Sequence, residues 1–150
     1  MPGDMPGDVN RGLLDTNIFI LAHLIAPATL PEVSAVSAVT LGELSAGVSL
    51  VRGDDVEARA ERGRRLEVLQ RVESEFDPIP FGAAAARIFG RICGAVADHG
   101  RKPRSRVADL MVAATAAAEG LPLYTTNPDD FLGLGGIVEV IAVPQPVIDR

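Results

Sequence analysis

The stretch Gly12-Leu13-Leu14-Asp15-Thr16-Asn17 joins a short apolar run to a second apolar run over residues 18–26, with one carboxylate at the junction. A strand-length apolar segment that turns at once into one of helical length is how a buried parallel strand passes to the helix covering it. Asp15 then lies at the carboxyl end of the strand, the edge at which open α/β sheets bind their ligands. Asp, Thr and Asn are also good helix caps, so capping alone accounts for this junction unless other acids gather at the same edge.

Working outward, residues 1–8 are Met-Pro-Gly-Asp written twice, too rich in Pro and Gly to pack, and are expected to form a disordered leader. Residues 33–37 read as a second strand, and Thr40-Leu41-Gly42-Glu43 opens a helix to about residue 50. Beyond Gly53, residues 54–72 form an amphipathic helix with Val56, Ala60, Leu66 and Leu69 inward and an arginine set outward. Residues 76–79, fenced by Pro78 and Pro80, are expected as a short edge strand. Two further helices span 83–97 and 106–119, ended by Gly100 and Gly120, with Ser105 capping the second. Strands at 121–125 and 137–143 flank a turn at 127–131, and residues 144–150 form a tail. Alternating strands and helices predict an α/β fold, a mainly parallel sheet of four to five strands with helices on both faces, in one domain over 9–143.

The bulk properties narrow the chemistry. A chain of 150 residues that is 47% apolar and 23% charged has the composition of one globular domain. Charged residues interrupt every apolar run short of membrane-spanning length, and no basic segment followed by an apolar stretch opens the chain, so a cytoplasmic location is expected. Cys93 is the single cysteine, which excludes an internal disulfide or a cysteine-rich zinc site, and two histidines, His23 and His99, argue against a histidine-based one. Any metal would be held by oxygen. A net charge of −6 argues against coating nucleic acid by bulk attraction, yet the basic residues cluster. Arg59, Arg62, Arg64, Arg65 and Arg71 form one group, and Arg101, Lys102, Arg104 and Arg106 another. Arginine, the dominant cation here, suits forked phosphate contacts.

Three further segments carry acids to the same edge. Glu43 follows Thr40 at capping-box spacing, but the same placement puts its carboxylate in the first turn of a helix that leaves a strand. Asp109 is the only charged residue from Val107 to Ala118, in a helix apolar on nearly all sides, where an ionised carboxylate is costly without a positive partner. The helix dipole and a salt bridge to Arg104 or Arg106 are the structural explanations, and a functional acid is the other. Thr125-Thr126-Asn127-Pro128-Asp129-Asp130-Phe131 is ordinary turn chemistry, yet it too follows a strand. Four separate segments thus bring acids to one rim of the sheet.

In these segments the chain resembles the PIN-domain ribonucleases, and more narrowly the VapC toxins of bacterial toxin–antitoxin pairs. The matching stretches are Leu13-Leu14-Asp15-Thr16-Asn17, Val39-Thr40-Leu41-Gly42-Glu43-Leu44 with Gly47, Ala108-Asp109-Leu110-Met111-Val112-Ala113-Ala114-Thr115-Ala116, and Leu123-Tyr124-Thr125-Thr126-Asn127 with Asp130-Phe131. They run in the family's order over nearly the whole chain. The resemblance implies a three-layer α/β/α PIN-like fold, with Asp15, Glu43 and Asp109 as catalytic, metal-binding acids. Asp130, less readily Asp129, supplies a further ligand where many relatives carry an acid and this chain has Asn127. Thr16, Asn17, Thr125 and Asn127 would support them.

Clustered carboxylates repel one another, and a hard divalent cation, Mg²⁺ or Mn²⁺, relieves that repulsion. The expected reaction is hydrolysis of an RNA phosphodiester by an activated water, which by resemblance leaves 5′-phosphate and 3′-hydroxyl ends. Arg101, Lys102, Arg104 and Arg106 are the candidate RNA-binding residues, and a cognate antitoxin and a second copy of the chain are the expected partners. Phe19, Leu21 and Leu24 are candidates for either contact, and equally for core. His23, placed in a mostly apolar helix, is expected as a core residue. A PIN-like module that binds RNA or protein without cleaving it stands as the alternative. A small-molecule phosphatase with an Asp nucleophile is disfavoured, because Asn17 sits where a second Asp would stand.

Overall fold

A computed structural model describes residues 9–147. The expected leader at 1–8 and the last residues of the expected tail, 148–150, lie outside the described residues. Four strands, β1 (Arg11–Leu14), β2 (Val33–Ala35), β3 (Leu123–Thr125) and β4 (Val140–Ala142), form one sheet in the order β2-β1-β3-β4. Every pairing is parallel, with Leu13 opposite Ala35 on one side and Leu123 on the other. Five helices surround it: α1 (Thr16–Ile20), α2 (Ala38–Ser49), α3 (Val56–Glu75), α4 (Ala83–Asp98) and α5 (Val107–Ala118).

The period of two along each strand divides the core. Leu13 and Leu123 face α4 and α5, packing with Ile92, Val96, Leu110 and Val112. Leu14 and Tyr124 point the opposite way, to Ile18, Phe19, Leu44, Leu69 and Val72 of α1, α2 and α3. Helices therefore cover both faces, the three-layer architecture expected from the resemblance. At Gly12 a Cβ would meet the Tyr124 ring at 2.3 Å, so the tyrosine lies flat across β1 because that position has no side chain.

Several local expectations are corrected. The apolar run at 18–26 is not one helix: α1 ends at Ile20, and 3₁₀ turns at Ala22–Leu24 and Pro27–Thr29 carry the chain back to β2. The turn buries Ile25 against the face made by Leu14, a tertiary gain that a straight helix would forfeit. Residues 76–79 give only a single parallel bridge between Ile79 and Ser37, not a strand. Pro78 and Pro80 remove the donors on either side, leaving Ile79 N–H to bond Val36 O at 2.9 Å and Ile79 O to accept from Ala38 N–H at 2.8 Å.

The helix at 54–72 is found as α3, but turned about its axis. Val56, Ala60 and Leu66 are exposed, and Ala58, Leu69 and Val72 are buried. The arginines explain the rotation, because they are not simply solvated. Arg62 donates to Val51 O and Gly53 O, Arg65 to Gly47 O at 2.8 Å, and Arg71 to Phe19 O. Each of these carbonyls lies at or just beyond the carboxyl end of α1 or α2, where unpaired carbonyls and the helix dipole favour a cation.

Two caps also differ. Ser37, not Thr40, caps α2, its Oγ accepting Thr40 N–H at 3.0 Å, so the Thr40–Glu43 capping box does not form and Glu43 sits beyond the first turn. Residue 105 lies within a 3₁₀ turn, Pro103–Arg106, and Arg106 stands at the N-cap of α5 without a side-chain cap bond. Gly120, with φ 68°, closes α5 as expected. No described helix is long and apolar enough to cross a membrane.

Candidate functional site

From β1 the chain runs to β2 on one flank and later returns through β3 on the other, so the strand order reverses beside β1. The carboxyl ends of β1 and β3 border the crevice created by that reversal. Asp15 follows β1 directly and is only 5% exposed. Its Oδ1 accepts Thr16 N–H at 2.9 Å as the cap of α1, and its Oδ2 accepts the Thr125 hydroxyl at 2.9 Å from the end of β3. Capping and a place in the site are thus properties of one side chain. Burial pushes the Asp15 carboxyl up to about 6, against the two hydrogen bonds and with help from the charges of Asp109 and Glu43.

Glu43 is reached through a chain of hydroxyls. Thr16 Oγ1 donates to Glu43 Oε1 at 2.6 Å, and since a hydroxyl has one proton, the 2.9 Å contact with Thr40 Oγ1 must be donated by Thr40. Ser37 Oγ then donates to Thr40 Oγ1 at 3.2 Å, so three hydroxyls point their protons toward one carboxylate. Burial raises the Glu43 pKa, the Thr16 bond opposes it and the charge of Asp109 adds to it. Thr16→Val removes that bond while keeping the shape. It is expected to cost about 1–3 kcal/mol in urea unfolding and to shift the acid limb of the pH–rate profile to higher pH. An unmoved limb would remove Thr16 from any role in tuning Glu43.

Asp109 lies in the first turn of α5, whose following residues Leu110 and Val112 to Ala116 are buried. Its Oδ2 is 3.8 Å from Arg106 Nε, and Arg106 Nη2 is 3.6 Å from Asp130 Oδ1 and bonds the Asp130 carbonyl. Burial raises the Asp109 pKa, with Arg106 pulling down and Asp130 pushing up. Asp15, Glu43, Asp109 and Asp130 line a single cleft of about 770 Å³, together with Asn17 and Asn127, whereas Asp129 is exposed on the turn outside it. Thr125 Oγ1 also accepts Asn127 N–H at 3.0 Å, tying the turn after β3 to the same hydroxyl that holds Asp15.

The opposite wall of the cleft is α3, through Arg64, Arg65 and Arg71 with Glu61 and Glu67 among them. Of the second basic group, Arg106 reaches the carboxylates of Asp109 and Asp130. Arg101 and Lys102 do not line the cleft, and the side chain of Arg104 lies outside the described ones. The sequence marks the α3 arginines as a basic group suited to phosphate contacts, but their place beside the acids follows only from the fold. His23 is not a core residue: it is exposed on a 3₁₀ turn at the cleft's lip, because the helix expected to bury it ends at Ile20.

Among the described residues, no three His, Cys, Asp or Glu side chains are gathered into a group that would hold a metal ion by themselves. The donors facing the cleft are nevertheless carboxylate oxygens, and Asp15, Glu43 and Asp109 all hold protons more tightly than usual, first because burial disfavours ionisation, and then because the charge of Asp109 acts on Asp15 and Glu43 and that of Asp130 on Asp109. That donor set fits a hard cation that keeps water in its shell, as Mg²⁺ does, and it offers nothing to a soft one.

Comparison with known proteins agrees with this geometry. The PIN-domain family model matches residues 12–136. Ribonuclease VapC5 of Mycobacterium tuberculosis is 36% identical over 137 residues, covering 88% of this chain and 95% of that protein. The tRNA(fMet)-specific endonuclease VapC of Shigella flexneri is 32% identical over 132 residues, covering 83% and 92%. The crystal structure of VapBC-5, a member of the VapBC family of toxin–antitoxin systems from Mycobacterium tuberculosis, superposes with a TM-score of 0.74 at 35% identity, covering 89% of this chain and 99% of that one. A parallel four-stranded sheet with five helices, acids converging at the ends of β1 and β3, and likeness over nearly the full length place this chain in the PIN-domain family and, within it, among the VapC ribonucleases, the toxins of VapBC toxin–antitoxin systems.

Proposed function

We propose that this ribonuclease hydrolyses RNA phosphodiester bonds with Mg²⁺ or Mn²⁺ held by Asp15, Glu43 and Asp109, with Asp130 on the same wall. The observation that carries this reading is the convergence on one cleft of acids from four distant segments, three of them with raised proton affinity. A divalent ion bound there would polarise the scissile phosphate and make water a better nucleophile at neutral pH. The chain's own residues do the rest. Thr125 and Thr16 fix the Asp15 carboxylate, the hydroxyl chain orients Glu43 to take a proton from water, and Asn17 and Asn127 offer amides at the cleft.

The substrate backbone runs along the α3 wall. There Arg64, Arg65 and Arg71 outnumber Glu61 and Glu67, and Arg64 is 66% exposed. The loop with Arg101, Lys102 and Arg104 leads into Arg106 and supplies further phosphate contacts. A cognate antitoxin restrains the enzyme, the chain pairs with a second copy of itself, and it acts in the cytoplasm. Of the residues around α1, Ile20 and Leu24 are more than two-fifths exposed and open to protein contact, whereas Phe19 is core.

The test is incubation of purified protein with tRNA, the substrate class of the Shigella relative, with and without Mg²⁺. Cleavage is expected only with the ion. Arg64→Gln with Arg71→Gln should weaken RNA binding several-fold at low salt and reduce the slope of log K against log salt by about 0.7 per charge removed. An unchanged slope would move the RNA path off α3.

A further inference from the structure

Arg106 sits among acids and not on an open basic surface. Its guanidinium bridges two segments, reaching Asp109 at the start of α5 and Asp130 in the turn after β3, at 3.8 and 3.6 Å. The same Nη2 bonds the Asp130 carbonyl, the guanidinium carbon lies 5.8 Å from the centre of the Phe131 ring, and the side chain is 19% exposed. It is held from both segments and by an aromatic face. A guanidinium does not lose its proton in a protein, so the positive charge is permanent.

We propose that Arg106 takes the place of a second cation in the cleft, so that the site takes up one divalent ion on Asp15, Glu43 and Asp109 while Asp130 is kept as the partner of Arg106. This rests on the metal-binding reading of the site. A second ion shared by Asp109 and Asp130 would have to lie where the guanidinium already sits, and like charges at that separation repel strongly in a partly buried site. Asn127 points the same way, because an amide at the end of β3 brings no negative charge to attract another ion. Arg106 is therefore a positioning residue. It holds the orientation of Asp109, sets the number of ions, and takes no part in binding RNA.

The test is the count of bound Mn²⁺ on the full chain, from the electron paramagnetic resonance signal of the free ion, with far-UV circular dichroism to verify folding. The wild-type protein and Arg106→Lys are expected to bind one ion, and Arg106→Gln two, the second lost again when Asp130→Asn is added. Two ions on the wild type, or one on a folded Arg106→Gln, would overturn the proposal. No ion on the wild type would instead overturn the metal-binding reading beneath it. Should Arg106→Gln not fold, Asp130→Asn alone decides. An affinity for the single ion changed by less than about a hundredfold supports Asp130 as the partner of Arg106, and a larger loss makes it a ligand and defeats the proposal.

Discussion

Asp15→Asn is expected to lower RNA cleavage roughly a thousandfold, the loss of several kcal/mol of transition-state stabilisation at 1.36 kcal/mol per factor of ten. It should do so without unfolding the protein. The Asp15 carboxyl, only 5% exposed, rises from 3.8 to about 6, so its charged form costs the metal-free fold about 3 kcal/mol at neutral pH. Asparagine removes that cost but cannot accept both the Thr16 N–H and the Thr125 hydroxyl, which returns about 1 kcal/mol. The net expectation is a variant about 1–2 kcal/mol more stable than wild type in urea at pH 7 with the metal chelated. Were Asp15 only a helix cap, the pattern would be the reverse: about 1 kcal/mol of stability lost and activity retained.

The second expectation concerns pH and metal together. Asp15, Glu43 and Asp109 all bind protons more tightly in the folded state than their ordinary values. For such groups stability is greatest below the unfolded pKa, falls as pH climbs between the unfolded and folded values, and levels off above the latter. For Asp15 that window runs from 3.8 to about 6. The metal-free wild type should thus lose about 1.4 kcal/mol relative to Asp15→Asn between pH 5 and pH 7.5, since about one pKa unit of the window lies in that interval. Taking the difference against the variant cancels carboxylates that titrate the other way, such as Glu61, which Arg64 and Arg65 hold below its usual value. Mg²⁺ should reverse the loss at pH 7.5, by about 2.7 kcal/mol at a hundred times its Kd, and act much less at pH 5, where protons compete for the same oxygens. Equal stabilisation by Mg²⁺ at both pH values would show that these carboxylates are not its ligands.

What the amino-acid order determined by itself was local and repetitive. Leu13-Leu14-Asp15 and Leu123-Tyr124-Thr125 are apolar strands closed by a polar residue, and hydrophobic burial leaves little choice but to pair them centrally with their polar ends at one rim. That was enough to bring Asp15, Glu43, Asp109 and the turn after β3 to one cleft, and hence to the family. Tertiary structure alone decided the rest, because it depended on which unpaired groups met. The open carbonyls at the ends of α1 and α2 hold Arg62, Arg65 and Arg71 by hydrogen bonds, rotating α3 away from its apolar pattern, and Arg65 and Arg71 with Arg64 make it the cleft's basic wall. Arg106, read in the sequence both as a phosphate contact and as a partner for Asp109, also reaches Asp130, a residue 24 positions on, because a partly buried guanidinium gathers the carboxylates of whichever segments the fold brings beside it. Periodicity records which face of an element is apolar, but it carries no information about the distant carbonyl or carboxylate that a long polar side chain will find.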